Sequence, residues 1–230
     1  MIKTVLWDVD ATLLNFEASE EISIQKLFAK YGMEMDEERL AIYQKINRGY
    51  WLGLEEGRYD RHTVLTKRFD DFFDVLGLPH QDTDAMNDFY QLALGTYVVK
   101  NKGAKETLEA IGALGLPQYV VSNGSTIAQE NKLENSHFDR YMKDVFISEK
   151  IGYEKPDPRF FKAVAESIHY DPKKTVIIGD SLTSDMTGGV NAGLKTIWYN
   201  PKHLENALHL PIDHTIEDLT EVIEIVKNEK

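Results

Sequence analysis

The sequence predicts an α/β protein: a doubly wound parallel sheet with a helical cap domain inserted after its first strand. Two observations indicate this class. Short apolar segments alternate with amphipathic segments from about residue 98 onward, which is the order that crossover helices between parallel strands produce. Residues 17–95, in contrast, show only helical periodicity.

The elements follow from local patterns taken in chain order. Residues 3–7, "KTVLW", are short, apolar and rich in β-branched side chains, which favours a buried strand. Four amphipathic segments then predict four helices, beginning with Ile24, Leu27, Phe28 and Tyr31 at helical spacing. Four further strands are predicted at 118–123, 144–148, 175–180 and 195–199.

Helices are predicted between these later strands and at the carboxyl end of the chain. Their segments are 104–115, 125–135, 156–168 and 183–192, followed by a final helix that carries Leu219, Val222, Ile223 and Val226 on one face. The predicted domains are therefore an α/β core, residues 1–15 and 98–230, and a helical cap, residues 16–97.

Composition excludes several classes of function. The chain has 230 residues, no cysteine, and 26 basic against 38 acidic side chains, a formal net charge of −12. Thiol catalysis and zinc–thiolate sites are excluded. So acidic a chain is not expected to bind nucleic acid, but it can hold a small phosphorylated metabolite in a locally positive pocket.

The sequence also gives expectations about location and assembly. No segment is long and apolar enough to span a bilayer, and the first ten residues lack the features of a signal peptide. We therefore expect a cytoplasmic protein without a membrane partner, either a monomer or a weak homodimer.

Polar residues follow the predicted strands at four places. They are Asp8 and Asp10; Ser122, Asn123 and Gly124; Lys155; and Asp180 with Asp185. Each group alone can be a turn or a helix cap. Because the carboxyl ends of parallel strands lie at one edge of a sheet, all four groups together predict a single site.

The chemistry of such a site is phosphoryl transfer. Two neighbouring carboxylates resist being ionised together, so Asp8 can act as a nucleophile while Asp10 serves as general acid and base. Adding Asp180 concentrates negative charge and favours Mg²⁺, which prefers oxygen ligands. Thr12, Ser122, Asn123 and Lys155 are the candidate phosphate-binding residues.

These motifs resemble those of the haloacid dehalogenase-like hydrolase superfamily. The four matching segments are "DVDAT", "VVSNG", "YEKPDP" and "GDSLTSD", which stand in the family's order between residues 8 and 185. The resemblance implies a Rossmann-like core with a cap between the first two motifs. It implies Asp8 as nucleophile, Asp10 as general acid and base, Mg²⁺ on Asp8, the Asp10 carbonyl and Asp180, and Asp185 as a supporting acid.

One residue departs from the family pattern. Ala11 stands where the family most often has glycine, so a positive φ at this position would be strained. Three segments, "WDVDATLLNFE", "YQKINRGYWLGLEEG" and "ISEKIGYEKPDPRFF", are similar to the pyrimidine 5′-nucleotidase-like branch.

The cap is expected to recognise the group that carries the phosphate. Asn47 and Arg48 are candidates for hydrogen bonds to a nucleobase, and Tyr50 and Trp51 are candidates for stacking on it. Packing of the two aromatic side chains inside the cap is the alternative.

We therefore expect a Mg²⁺-dependent phosphomonoesterase that acts through an aspartyl-phosphate, with a nucleoside 5′-monophosphate as substrate. The alternatives are a phosphatase of sugar or glycolate phosphates, a mutase of the β-phosphoglucomutase kind, and a phosphate-binding regulatory protein without turnover. A dehalogenase would not need Asp10 and Asp180.

Overall fold

The protein forms a parallel sheet with helices on both faces. A computed structural model describes residues 1–229. Within this range the six strands are β1 (Thr4–Trp7), β2 (Gln118–Ser122), β3 (Asp144–Ile147), β4 (Thr175–Gly179), β5 (Lys195–Tyr199) and β6 (His214–Ile216). Their spatial order is β3-β2-β1-β4-β5-β6 and every pairing is parallel. The predicted fold class is confirmed.

Ten α-helices surround the sheet or lie beside it in the described range. They are α1 (Phe16–Lys30), α2 (Glu37–Glu55), α3 (Arg61–Leu76), α4 (Thr83–Thr96), α5 (Ala104–Ala113), α6 (Thr126–Ser136), α7 (Ser148–Ile151), α8 (Pro158–Ile168), α9 (Thr187–Asn191) and α10 (Glu221–Asn228). None of the helices in residues 1–229 is long and apolar enough to cross a membrane.

The sheet is buried on both faces, as its apolar strands predict. Val5 and Trp7 of β1 belong to one hydrophobic cluster, while Leu6 between them belongs to another on the opposite face. All three side chains are fully buried. The strand order places β1 between β2 and β4, so that the residues following it lie in the middle of the edge.

Helices α1 to α4 have a hydrophobic core of their own. Phe28, Tyr43 and Phe72 meet at its centre, with the rings of Phe28 and Phe72 packed edge to face at 5.1 Å between centroids. Each helix begins at an Asn or Asp that accepts a hydrogen bond from the main-chain N–H three residues later. The exact division into core and cap at residues 16 and 97 stays a prediction.

The structure corrects one sequence prediction and adds one strand. The helix predicted at 183–192 begins as a π-helical turn, Leu182–Met186, before α9 continues it. The wider turn accompanies a hydrogen bond from the Ser181 N–H to the Asp185 carboxylate, which points back toward the sheet edge. Strand β6 was not predicted, because three residues are too few to establish a period.

Candidate active site

The predicted polar groups lie at the carboxyl edge of the sheet. Asp8 follows β1, Ser122 ends β2 and Asp180 follows β4, and these three strands are neighbours. Lys155 reaches the same place from the loop between α7 and α8. The fold thereby brings into contact residues as far apart in the chain as Thr12 and Asp180, which are separated by 168 positions.

Lys155 links the first and fourth groups. Its Nζ donates hydrogen bonds to Asp8 Oδ1 at 2.8 Å, to Asp185 Oδ1 at 2.6 Å and to the Val121 carbonyl at 2.7 Å. The side chain is only 1% exposed. All three ammonium protons thus have acceptors, which is the condition for burying this charge.

Three carboxylates converge around this ammonium group. One oxygen from each of Asp8, Asp180 and Asp185 lies within 4.8 Å of the others. Burial raises the pKa of Asp8 to about 7, with Asp185 adding to the rise and Lys155 opposing it. Burial, together with Asp8 and Asp185, also raises the pKa of Asp180 well above its usual range.

The charges of this cluster do not balance. Burial alone would lower the pKa of Lys155, but Asp185 and Asp8 raise it above its usual value, so this side chain is a cation. One cation faces three carboxylates, and the ligands on offer are all oxygens. That donor set and its excess negative charge fit a divalent cation such as Mg²⁺. The Asp10 carboxylate is not part of the cluster, so only its main-chain oxygen is available for the predicted metal site.

In the loop after β2, the polar side chains form hydrogen bonds with main-chain groups. Ser122 Oγ accepts a hydrogen bond from the Gly124 N–H at 3.1 Å. The Asn123 amide bonds both the N–H and the carbonyl of Lys155, at 2.8 and 2.9 Å. Its side chain therefore fixes the loop that carries Lys155. The predicted phosphate-binding residue Thr12 does not line the cavity; its hydroxyl lies 3.4 Å from Asp180 Oδ1.

The turn that leads from Asp10 to α1 is strained at one position. Ala11 has φ of +64°, in the left-handed region that its Cβ disfavours, as the sequence predicted for a residue in place of glycine. The Asn101 side chain donates to the carbonyls of Ala11 and Thr12, at 3.3 and 2.8 Å. These bonds hold the turn in this conformation.

A cavity of about 650 Å³ opens above the carboxylate cluster. The sheet edge forms its floor, and helices α1 and α2 contribute much of its wall. Of the residues predicted to recognise the substrate, Asn47, Arg48 and Trp51 line it. Tyr50 does not line it, and its hydroxyl instead donates a hydrogen bond of 2.7 Å to Asp71 Oδ2.

The upper wall contains a buried polar network that the sequence did not reveal. Asn47 accepts a hydrogen bond from Arg68 and donates one to Glu20, at 2.9 and 2.7 Å. Burial raises the pKa of Glu20, while Asn47 and Arg68 oppose the rise. Glu20, Asn47 and Arg68 all line the cavity, so buried hydrogen-bonding groups stand there beside the apolar core of the cap.

The cap also contacts the core beside the cavity. Arg61 donates to the Asn123 carbonyl at 3.2 Å, to Ser148 Oγ at 2.6 Å and to Glu154 Oε1 at 3.1 Å. Glu55 accepts a bond of 2.6 Å from Thr183 Oγ1. The Arg61 contacts hold the cap over the loops that carry Asn123 and Lys155, and the Glu55 contact holds it over the turn that follows β4.

The Asp10 carboxylate is held from α6. Its Oδ1 accepts a hydrogen bond of 2.6 Å from Lys132 Nζ, and its Oδ2 accepts one of 2.7 Å from Gln129 Nε2. Sequence analysis did not single out either partner. Their spacing of three residues, which places them on one face of the helix, was the available signal.

The fold and this cluster define a hydrolase of a known class. The family model of the haloacid dehalogenase-like hydrolases matches residues 2–193, and the chain belongs to that family. The pyrimidine 5′-nucleotidase PynA of Streptococcus pneumoniae is 34% identical over 205 residues, which cover 89% of this chain and 86% of that protein.

Two further relatives extend over nearly the whole chain. YfnB of Bacillus subtilis, a HAD-hydrolase by name, is 32% identical over 236 residues, covering 99% of this chain and 96% of that protein. Its structure, described as bound to magnesium and as revealing interdomain movement, matches with a TM-score of 0.91 over 98% of both chains. The pyrimidine 5′-nucleotidase YjjG of Escherichia coli is 26% identical, with 96% of each chain covered.

Proposed function

We propose that this protein is a Mg²⁺-dependent phosphomonoesterase that uses Asp8 as its nucleophile. The observation that supports this most strongly is the contact of Lys155 with both Asp8 and Asp185 on the floor of the cavity. A phosphate placed there meets a nucleophilic oxygen, a fixed cation and the hydroxyl of Ser122 together.

The residues divide the reaction into two displacements. In the first, a carboxylate oxygen of Asp8 attacks phosphorus, the P–O bond to the leaving group breaks, and Asp10 gives its proton to the departing oxygen. In the second, Asp10 takes a proton from water as the water oxygen attacks the phosphorus of the aspartyl-phosphate. The Asp8 carboxylate is then restored and inorganic phosphate is released. In both steps Lys155 supplies a fixed positive charge beside the phosphoryl group, and the Ser122 hydroxyl donates a hydrogen bond to a phosphoryl oxygen.

The metal would be held by Asp8, Asp180 and the main-chain oxygen of Asp10, with Asp185 close by. When bound, Mg²⁺ supplies positive charge that offsets the carboxylates and the phosphoryl oxygens. The structure of YfnB described as bound to magnesium supports this choice of ion.

Replacing Asp180 by Asn should remove the stabilisation by Mg²⁺ without weakening the metal-free fold. Burial and the like charges of the cluster disfavour ionised Asp180, and Asn can still accept the Thr12 hydrogen bond, so the metal-free variant should unfold at the same or a higher temperature. With Mg²⁺ at a hundred times its Kd, wild-type protein should gain about 2.7 kcal/mol. Thermal unfolding in EDTA and in MgCl₂ measures both effects. An undiminished Mg²⁺ shift in the variant would place the metal elsewhere.

We propose a nucleoside 5′-monophosphate as the substrate. Trp51 offers a ring for stacking, and the network of Glu20, Asn47 and Arg68 offers donors and acceptors to the polar edge of a base. Two relatives, PynA and YjjG, are named pyrimidine 5′-nucleotidases. Uridine and cytidine monophosphates are therefore the first substrates to test.

The neighbouring residues Tyr50 and Trp51 provide a matched test of this substrate class. Trp51→Ala should raise KM for a pyrimidine nucleotide about 5- to 150-fold, because stacking on one base contributes roughly 1–3 kcal/mol. Tyr50→Ala should leave KM close to wild type, because Tyr50 lies outside the cavity. Steady-state kinetics on nucleotides, sugar phosphates and phosphoglycolate, with Mg²⁺ and with EDTA, measure these effects.

The outcomes of this panel separate the proposals. A higher kcat/KM for a sugar phosphate or phosphoglycolate than for any nucleotide would reject the nucleotidase while leaving the phosphatase. Transfer of the phosphate to a second position of a sugar would indicate a mutase. Binding of nucleotides without any release of phosphate would indicate a regulatory protein.

A further inference from the structure

Helix α6 holds the carboxylate of Asp10 by both oxygens. Lys132 and Gln129 each donate one short hydrogen bond, and each donor is almost completely buried. Asp10 itself is partly open to the cavity, with 27% of its side chain exposed. Two bonds to two different oxygens fix the rotation of the carboxylate about its own axis, which a single bond would leave free.

The two donors are themselves held in place. Lys132 Nζ lies 5.3 Å from the centre of the Phe16 ring, so a cation–π contact also constrains its position. Gln129 is packed against Gly124, where an added Cβ would come within 2.1 Å of Gln129 Nε2. The absence of a side chain at residue 124 therefore gives Gln129 the space to reach Asp10.

Helix α6 also begins at the phosphate-binding loop. Ser125, at its amino end, caps the helix through the Ala128 N–H and donates a hydrogen bond of 2.7 Å to Gln91 of the cap. One rigid helix thus joins the loop of Ser122 to the carboxylate of Asp10. This arrangement can set the distance between a bound phosphate and the group that protonates its leaving oxygen.

We propose that Lys132 and Gln129 are positioning residues that aim the Asp10 carboxyl group at the leaving-group oxygen. The proposal rests on the phosphatase function proposed above. As the bond from phosphorus to the leaving oxygen breaks, its electron pair stays on that oxygen, which takes the proton of Asp10. Without the two donors, Asp10 rotates and the proton has farther to travel at the transition state.

The leaving group distinguishes this role from a structural one. An alkyl alcohol such as a nucleoside leaves only with a proton, whereas nitrophenolate leaves without one. The ratio kcat/KM reports the steps up to formation of the aspartyl-phosphate. If the Asp10 carboxyl group is misoriented, kcat/KM should fall for a nucleotide and stay unchanged for p-nitrophenyl phosphate. A damaged fold would lower both values.

The experiment compares these two esters in Lys132→Met, Lys132→Arg, Gln129→Met and Asp10→Asn. We expect Asp10→Asn to lower the ratio of nucleotide to nitrophenyl kcat/KM by about 10²- to 10⁴-fold. Lys132→Met should lower this ratio about 10- to 100-fold, and Gln129→Met should lower it by a smaller factor. In Lys132→Arg the ratio should lie between those of Lys132→Met and wild type, because arginine can still donate to Asp10. Lys30→Met is the matched control, since Lys30 also lies over an aromatic ring, that of Phe89, and neither residue lines the cavity.

The results separate this proposal from the phosphatase function. An unchanged ratio in both Lys132→Met and Gln129→Met, in a wild-type protein that hydrolyses both esters, would overturn the positioning role alone. If Lys132→Met does not fold, the ratio in Gln129→Met decides. Wild-type protein that hydrolyses neither ester would overturn both proposals.

Discussion

Asp8→Asn should lower kcat by about 10⁴-fold or more, which is the largest effect that we expect from any single substitution. Asparagine keeps the shape of the side chain and can still accept the hydrogen bond from Lys155, but its amide cannot form an acyl phosphate. The other predicted phosphate-binding groups stay in place. We therefore expect the variant to bind nucleotide with a Kd within about tenfold of wild type.

Two measurements separate lost chemistry from lost structure in this variant. Thermal unfolding shows whether the fold survives, and calorimetric titration with a nucleotide shows whether the site still binds. Asp88→Asn, an exposed substitution on α4, is the matched control and should keep full activity. Comparable turnover in Asp8→Asn would show that Asp8 is not the nucleophile.

Lys155→Met should cause the largest loss of stability. The variant leaves Asp8 and Asp185 buried without their shared cation, and removing one member of a buried ion pair costs about 3–5 kcal/mol. Turnover should fall as well, since the phosphate loses a fixed positive charge. Urea unfolding in EDTA measures the loss of free energy, and Lys162→Met is the control, because its pair with Glu166 is exposed.

The cost of Lys155→Met should increase with pH. Lys155 is the strongest influence that lowers the pKa of Asp8, which burial already raises to about 7. Without it the folded-state pKa rises further, so ionised Asp8 penalises the folded state increasingly above its unfolded pKa near 4. The variant should therefore lose more stability relative to wild type at pH 8 than at pH 6. An equal loss of stability at pH 6 and pH 8 would mean that ionisation of the buried carboxylates is not what destabilises the variant.

Much of the fold and of the cavity floor could be predicted because strand ends obey a simple rule. A short apolar run identifies a buried strand, and a parallel sheet brings all such strands' carboxyl ends to one edge. Asp8, Ser122 and Asp180 could therefore be expected together without knowledge of how the chain returns between them. No comparable rule assigns the loop that carries Lys155, and its place in the set came from motif order.

The cavity walls could not be predicted in this way because they depend on helix phase and packing. The residues of α2 that line the cavity recur at helical spacing, namely Gln44, Asn47, Arg48, Trp51, Leu52 and Glu55. Tyr50 lies about 100° away from Trp51 around the helix, so only one of the two adjacent aromatic residues reaches the cavity. Nothing local in the sequence indicates which face of α2 turns toward the sheet.

Long-range pairs in the cap and α6 were also beyond sequence patterns. Lys132 is 122 positions from Asp10, and its helix shows no break in pattern there. Arg68 and Glu20 resemble ordinary charged positions on amphipathic helices, although both are buried. Only the packing of the four cap helices against one another turns these charges inward.

The central claim is that a phosphoryl group is transferred to Asp8 at the junction of β1, β4 and the Lys155 loop. Borohydride converts an aspartyl-phosphate to homoserine, so reduction during turnover of a nucleotide, followed by peptide mass spectrometry, locates the acceptor. We expect homoserine at position 8, only in the presence of substrate and absent in Asp8→Asn. Steady turnover with no reduced residue, or with the reduced residue at any other aspartate, would contradict the account.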